Sequence, residues 1–236
     1  MILHIPHASL NTLSKEFLCD LDKELLRMSD RYTDELFYHP QAACIVAPIS
    51  RLLCDMERFE DDSLEEMASK GMGVCYTTNS FGAKLREVSA QEEEEILQTY
   101  YRPHHKALQE AVQKELQANG VALIIDCHSF SNTPLPHEND HHGVRPDICI
   151  GTDSYHTPPE LTQKIAMAFL NEGFLVKLNA PFAGTIVPMK FYRTNPNVHS
   201  IMIELNRDLY MEQNGTKKSD FAKIAQIVQN VMSQVL

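Results

Sequence analysis

Short aliphatic runs separated by amphipathic stretches are the feature that most limits what this chain can fold into. Residues 2–5, 44–48 (running on toward 54), 121–125, 148–150, 174–178 and 200–205 are apolar, rich in β-branched side chains, and bounded by polar or turn-forming residues. Runs of that length and composition read as buried strands. Between them lie helical patterns. One covers about 90–118, is interrupted or restarted at Pro103, and meets a stop signal at Asn119–Gly120. A second opens at Pro158–Pro159 and runs to about Asn171, closing near Gly173. The last follows a capping segment at 218–220 and carries Phe221, Ile224, Ile227, Val228, Val231 and Met232 on one face. Strands alternating with helices predict an α/β fold, a mainly parallel sheet covered on both faces, in one domain over 1–236.

Charge narrows the function. The formal net charge of −11 and the lack of a basic stripe exclude a nucleic-acid partner, whose phosphates require clustered Lys and Arg. An anionic small substrate stays open, because a pocket is governed by its local charges. No run of 18 apolar residues suggests a membrane span. The start, MILHIPHASL, lacks a secretory pattern and reads as a strand within the fold. The six cysteines contain no CxxC pair and mostly sit in apolar stretches, as reduced buried thiols of a cytoplasmic protein do.

Ligands of open α/β sheets bind beyond the carboxyl ends of the strands, so the residues there were compared. They are Pro6-His7-Ala8-Ser9, Arg51 with Asp55-Met56-Glu57-Arg58, Asp126-Cys127-His128-Ser129, and Glu204-Leu205-Asn206-Arg207. Two histidines, several carboxylates and several arginines thus converge on one edge. That is the composition of a metal hydrolase acting on an anion. A catalytic zinc takes three protein ligands and keeps a position for water, whose pKa it lowers to roughly 7. A carboxylate can carry the proton to the leaving amine, while guanidinium groups hold an oxyanion or a substrate carboxylate. Each residue also has a plainer role. A histidine at a strand end can be structural, Glu204 can be paired with an arginine, and Arg51, Arg58 and Arg207 can neutralise buried acids.

Two loop-rich stretches, 60–86 and 131–146, read as walls or lids of a site. Within the second, His137, Glu138, Asp140, His141 and His142 imitate a metal cluster, but no strand fixes them. Ser129 lacks a Gly-x-Ser-x-Gly elbow, which argues against a serine hydrolase. Asp126 reads as support for the His128 segment, and His105 as a residue lining the pocket.

Taken together, HIPHAS, SDRYTDELF, SRLLCDMERF, GVCYTTNSFG, YYRPHHKAL, DCHSF, RPDICIGT and IELNRDLYM, in this order from His4 to Met211, resemble the N-formylglutamate amidohydrolase family. That family looks like a branch of the zinc carboxypeptidase and aspartoacylase superfamily. The resemblance implies a three-layer α/β/α fold with a mixed, mainly parallel central sheet of about eight strands. It implies one divalent metal, zinc, on His7, His128 and a carboxylate, with Glu204 as base and Arg51 polarising the scissile carbonyl. Arg58 matches an Asn-Arg pair that holds the substrate carboxylate, with Glu57 standing in the Asn position. Arg207 and Lys190 are further candidates for substrate binding. The superfamily's third ligand, a Glu, falls on Leu10, so the carboxylate comes from Asp30 or Asp34, with Asp30 favoured. The expected reaction is cleavage of the N-formyl amide of an acidic amino acid such as N-formylglutamate. The alternatives are a carboxypeptidase-like or deacylase activity on another N-acylated substrate, or a non-catalytic relative that binds metal or ligand.

Overall fold

The computed structural model of the chain describes residues 1–138 and 143–235. Its six strands are β1 (Ile2–Ile5), β2 (Ala43–Val46), β3 (Ala122–Phe130), β4 (Ile148–Gly151), β5 (Val176–Leu178) and β6 (Val198–Asn206). They form one sheet in the order β2-β1-β3-β6-β4-β5. The four strands from β2 to β6 run parallel, β4 pairs antiparallel with β6, and β5 runs parallel to β4. The sheet is therefore mixed and mostly parallel, as expected.

Six helices flank it: α1 (Leu21–Met28), α2 (Thr33–Leu36), α3 (Ala90–Ile96), α4 (Arg102–Asn119), α5 (Pro159–Asn171) and α6 (Phe221–Gln234). α4 covers one face, where Leu108 and Val112, one helical turn apart, pack on Ile2 and Ile124. α2, α5 and α6 cover the other, joining Leu36, Ile165, Phe169, Ile224 and Val228 to Leu3, Ile125, Ile201 and Ile203. Alternate residues of β3 thus serve two cores. The helical pattern from 90 onward continues through Pro103 by way of a single π turn, Leu97–Tyr101, which accommodates the missing proline N–H. Gly120, at φ +75°, ends α4 in the left-handed conformation that glycine adopts without strain.

Three expectations are corrected. The described residues form six strands rather than about eight, because 49–58 folds into turns and 60–86 into turns and short 3-10 segments. The run at 44–48 ends at Val46 and lies at the sheet edge, where three of its four residues are exposed. Cys44 is accordingly exposed, not buried. β3 also extends five residues past its apolar run, so Asp126 and His128 lie within the strand, as Glu204 does in β6. Their polarity ends the hydrophobic run but not the hydrogen-bond ladder. Asp140, His141 and His142 lie outside the described residues.

Candidate active site

The carboxyl ends of β1, β3 and β6 carry the polar cluster. In the β3–β6 register, Asp126 pairs with Met202 and His128 with Glu204. In the β1–β3 register, His4 pairs with Asp126. Partners in a parallel ladder share a face, so His4, Asp126, His128 and Glu204 all project toward the α4 side. Below them on that face lie Ile2 and Ile124, which close the site against the apolar core.

Asp30 links the two histidines expected to bind metal. Its Oδ2 lies 3.2 Å from His128 Nδ1 and 3.5 Å from His7 Nδ1. Its backbone N–H donates to the His7 carbonyl at 2.9 Å, which fixes the loop after α1 against the end of β1. The opposite nitrogens are also held. His7 Nε2 is 2.7 Å from Asp55 Oδ1, and His128 Nε2 is 3.1 Å from both Asp126 Oδ1 and Glu57 Oε1. Asp34, by contrast, is exposed on α2. Ligand atoms of His7, Glu57 and His128 lie within 4.8 Å of one another, as do those of His4, Glu57 and Asp126, so either set could hold a metal ion.

Asp55, fully buried, organises the opposite wall. Its Oδ2 accepts from Tyr76 Oη at 2.6 Å and from Arg51 Nη2 at 2.7 Å. Its Oδ1, besides meeting His7, accepts the Glu57 N–H at 3.0 Å. Arg58 Nε comes within 3.6 Å of the same carboxylate. Arg51 Nε and Arg58 Nε are buried and have no hydrogen-bond partner.

Arg207 is fully engaged by protein. It donates from Nη2 to Asp30 Oδ1 at 2.8 Å, from Nε to Ser129 Oγ at 3.1 Å and from Nη1 to the Arg27 carbonyl at 2.6 Å. The geometry is that of a residue holding Asp30, and it leaves little for a substrate. Lys190 points to Gln113 Oε1 at 3.2 Å on an exposed surface and does not join the cluster. Outside it too, Glu138 pairs with Arg145, and His137 faces the Ser80 carbonyl at 3.4 Å.

The electrostatics follow from burial and pairing. Burial opposes charge on Asp30, but His128, His7 and Arg207 overcome it and hold the carboxyl well below the usual range. Asp55 is likewise held low, against burial, chiefly by Arg51 and His7. His128 is lifted well above the ordinary imidazole value: burial opposes this, and Glu57 and Asp126 outweigh it. His7 is raised despite burial and Arg51, through Asp55 and Asp30. Glu204 stands apart. Burial, helped by Asp30 and Glu57, pushes its carboxyl up to about 8, and Oε2 has no hydrogen-bond partner. A buried, unpartnered carboxylate with that affinity for a proton is suited to proton transfer near neutral pH.

A cavity of about 760 Å³ lies against this cluster on the α4 side. Asp126, Glu57 and Met202 form part of its lining, Arg58 and His105 flank them, and the 183–189 segment closes the far wall. Several features were not legible in sequence. His4 looked like one polar residue in an apolar strand, Tyr76 carried no signal, and Glu57 read only as a departure from an Asn. The missing clue was pairing across the chain: Asp55 lies 48 residues from His7, and Asp126 lies 122 residues from His4.

Among the described residues, no helix is long and apolar enough to cross a membrane. Comparison with known proteins gives a consistent result. A curated relative, N-formylglutamate deformylase of Pseudomonas putida, is 26% identical over 100% of this chain and 91% of its own length. Among solved structures, the N-formylglutamate amidohydrolase of Ralstonia eutropha JMP134 superposes with a TM-score of 0.83 at 20% identity, covering 99% of this chain and 91% of that one. A gene product of Agrobacterium tumefaciens gives a TM-score of 0.65 at 16% identity, covering 99% and 90%. These likenesses establish the fold. The family model for N-formylglutamate amidohydrolase matches residues 1–211, and the chain therefore belongs to that family of amide hydrolases.

Proposed function

We propose that this protein hydrolyses the N-acyl amide of an acidic amino acid, N-formylglutamate in particular, with a zinc-type ion held by His7 Nδ1, His128 Nδ1 and Asp30 Oδ2. The observation that carries the reading is the pair of distances from Asp30 Oδ2, 3.5 and 3.2 Å, to the two Nδ1 atoms. Both are close to the separation of about 3.3 Å between the ligands of tetrahedral zinc, while the two imidazole nitrogens on this side lie more than 4.8 Å apart and would have to close on the ion. His7 Nδ1 is buried without a hydrogen bond, as an imidazole nitrogen reserved for a cation would be. The remote nitrogens meet Asp55 and Asp126, the carboxylate support usual for metal-bound histidine. Glu57 is a less favourable third ligand, because the His7 nitrogen nearest it already lies 2.7 Å from Asp55.

When bound, such an ion makes hydroxide available at neutral pH and polarises the scissile carbonyl. The chain supplies the rest. Glu204 accepts a proton at Oε2 from the attacking water and delivers it to the departing amide nitrogen. Arg51 offers its free Nε–H to the oxygen that gains negative charge. Arg58, on the cavity wall, binds a substrate carboxylate, and its anchoring to Asp55 keeps it in position. Arg207 and Ser129 hold Asp30 toward the histidines.

Turnover of N-formyl, N-acetyl and N-succinyl derivatives of glutamate and aspartate, assayed with metal content, tests the substrate. Preferential hydrolysis of N-formylglutamate supports the reading. Equal or better hydrolysis of the bulkier acyl groups overturns the formyl assignment and favours a broader deacylase.

A further inference from the structure

Behind the two histidines runs a second line of imidazoles to which the proposed chemistry gives no role. His104, on α4, is 6% exposed, and its Nε2 lies 2.9 Å from Nε2 of His4, which is fully buried. The two rings meet edge to face, with centroids 5.1 Å apart. His4 Nδ1 lies 2.8 Å from Asp126 Oδ1, and that oxygen is 3.1 Å from His128 Nε2. Asp126 Oδ2 is occupied separately by the Ile186 N–H at 3.1 Å. Four side chains from three elements, α4, β1 and β3, thus form one buried hydrogen-bonded chain that ends on a histidine of the candidate metal site.

We infer that His104 and His4 are positioning residues that set, through Asp126, which nitrogen of His128 is presented to a metal. The inference rests on the proposed role of His128 as a ligand. The direction of the bonds carries it. An ionised Asp126 only accepts, so both nitrogens facing its Oδ1 carry hydrogen: Nδ1 of His4 and Nε2 of His128. With Nε2 of His128 committed as a donor, Nδ1, which faces Asp30, is the nitrogen that gives up its hydrogen when a metal binds. His4 can hold Asp126 in this way only if its ring is fixed, and among the described residues its other nitrogen has a single hydrogen-bond partner, His104. An apolar side chain at 104 would match the Leu108 and Val112 stripe of α4 but would leave His4 Nε2 buried without a partner. The histidine there is therefore explained by the chain, not by packing. Glu57 Oε1 is also 3.1 Å from His128 Nε2 and 3.9 Å from His4 Nδ1, but Glu57 is half-buried at the cavity wall, whereas Asp126 is buried and closer to His4.

The test uses purified full-length protein, stripped of metal and titrated with Co²⁺ against a competing chelator, with the visible Co²⁺ spectrum, stoichiometry and thermal unfolding recorded. His104→Leu keeps the volume and removes the hydrogen bond, whereas His104→Gln retains an amide that can reach His4. The expected result is one ion per chain, roughly 3- to 10-fold weaker Co²⁺ binding and an altered spectrum in H104L, and recovery to within about 3-fold in H104Q. Metal-free H104L that is folded and binds Co²⁺ with wild-type affinity and spectrum overturns the inference. So does weakening to the same degree in H104Q, which marks a packing effect alone, or binding of a second ion that H104L abolishes, which makes His4 a ligand. Wild-type protein that binds no Co²⁺ refutes the metal reading itself, and the inference with it.

Discussion

His128 and Glu204 are register partners across the parallel β3–β6 pair, side by side on the same face of the sheet. The metal-type histidine and the acid with the strongest call on a proton are thereby set by backbone hydrogen bonds rather than by a mobile loop. Strand-borne groups are held more tightly than loop-borne ones, which suits a proton shuttle that must stay within reach of its target.

This adjacency gives the first prediction. Glu204→Gln keeps the shape and the ladder but cannot take a proton. Turnover of N-formylglutamate is expected to fall by about 100-fold or more, while metal content stays at the wild-type level. Steady-state kinetics and metal analysis on the same preparation read both quantities, and unchanged turnover would remove Glu204 from the mechanism.

The raised Glu204 carboxyl also has a consequence for stability. Its folded value of about 8 lies above the ordinary 4.5, so between these pH values the folded protein binds more protons than the unfolded chain. Stability then falls as pH rises through this window. His128 and His7, both raised, act in the same direction above about 6.5: their contribution is complete below that value and is lost as pH climbs through their folded values. His104 and His105, held low chiefly by burial, act in the opposite direction below about 6.5. Metal-free protein is therefore expected to lose stability from about pH 7 to pH 9, and Glu204→Gln to show a shallower decline. Denaturant unfolding across that range measures the slope, and identical slopes would contradict the assignment.

Arg207 carries a structural prediction. It and Asp30 are both buried, and the guanidinium is the only arginine within ion-pair distance of that carboxylate among the described residues. Arg207→Met is expected to cost about 3–5 kcal/mol, because it leaves a charge buried with weaker support. Denaturant unfolding gives the value, and a loss below about 1 kcal/mol would show that Asp30 needs no such partner.

Much of this was legible in the chain. Aliphatic runs placed all six strands: the inner ones must be apolar on both faces, and the edge strands β2 and β5 are short apolar runs even though largely unburied. The upper end of β3 runs past the sequence expectation, because Asp126 and His128 interrupt the hydrophobic pattern without ending the strand. His7 and His128 are singled out in sequence by their places after apolar runs together with the family motifs, and the structure brings both to Asp30. Asp55, Tyr76, His4 and His104 were not assigned roles, because each acts through a partner distant in sequence, and spacing along the chain carries no trace of such pairs. Arg207 stood out by its neighbours in IELNRDLYM, yet its orientation toward Asp30 depends on the loop after α1.

Two basic residues should behave differently. Arg58 lines the cavity and is anchored to Asp55, so Arg58→Lys, which loses the planar fork, is expected to raise KM about 10-fold or more with a smaller change in kcat. Lys190 is exposed and directed at Gln113, so Lys190→Ala is expected to leave both constants within about twofold. Kinetics on N-formylglutamate compare the two, and a large KM effect at Lys190 would mean that the 183–192 segment closes over substrate.

The central claim, amide hydrolysis that depends on an ion at His7, Asp30 and His128, is tested most directly by removing and restoring the metal. Protein dialysed against a strong chelator is assayed for N-formylglutamate hydrolysis and metal content, then reloaded with Zn²⁺ and assayed again, beside Asp30→Asn treated in the same way. The account predicts loss of turnover on stripping, recovery with about one ion per chain, and failure of Asp30→Asn to recover. Undiminished turnover by protein shown to be metal-free would contradict it.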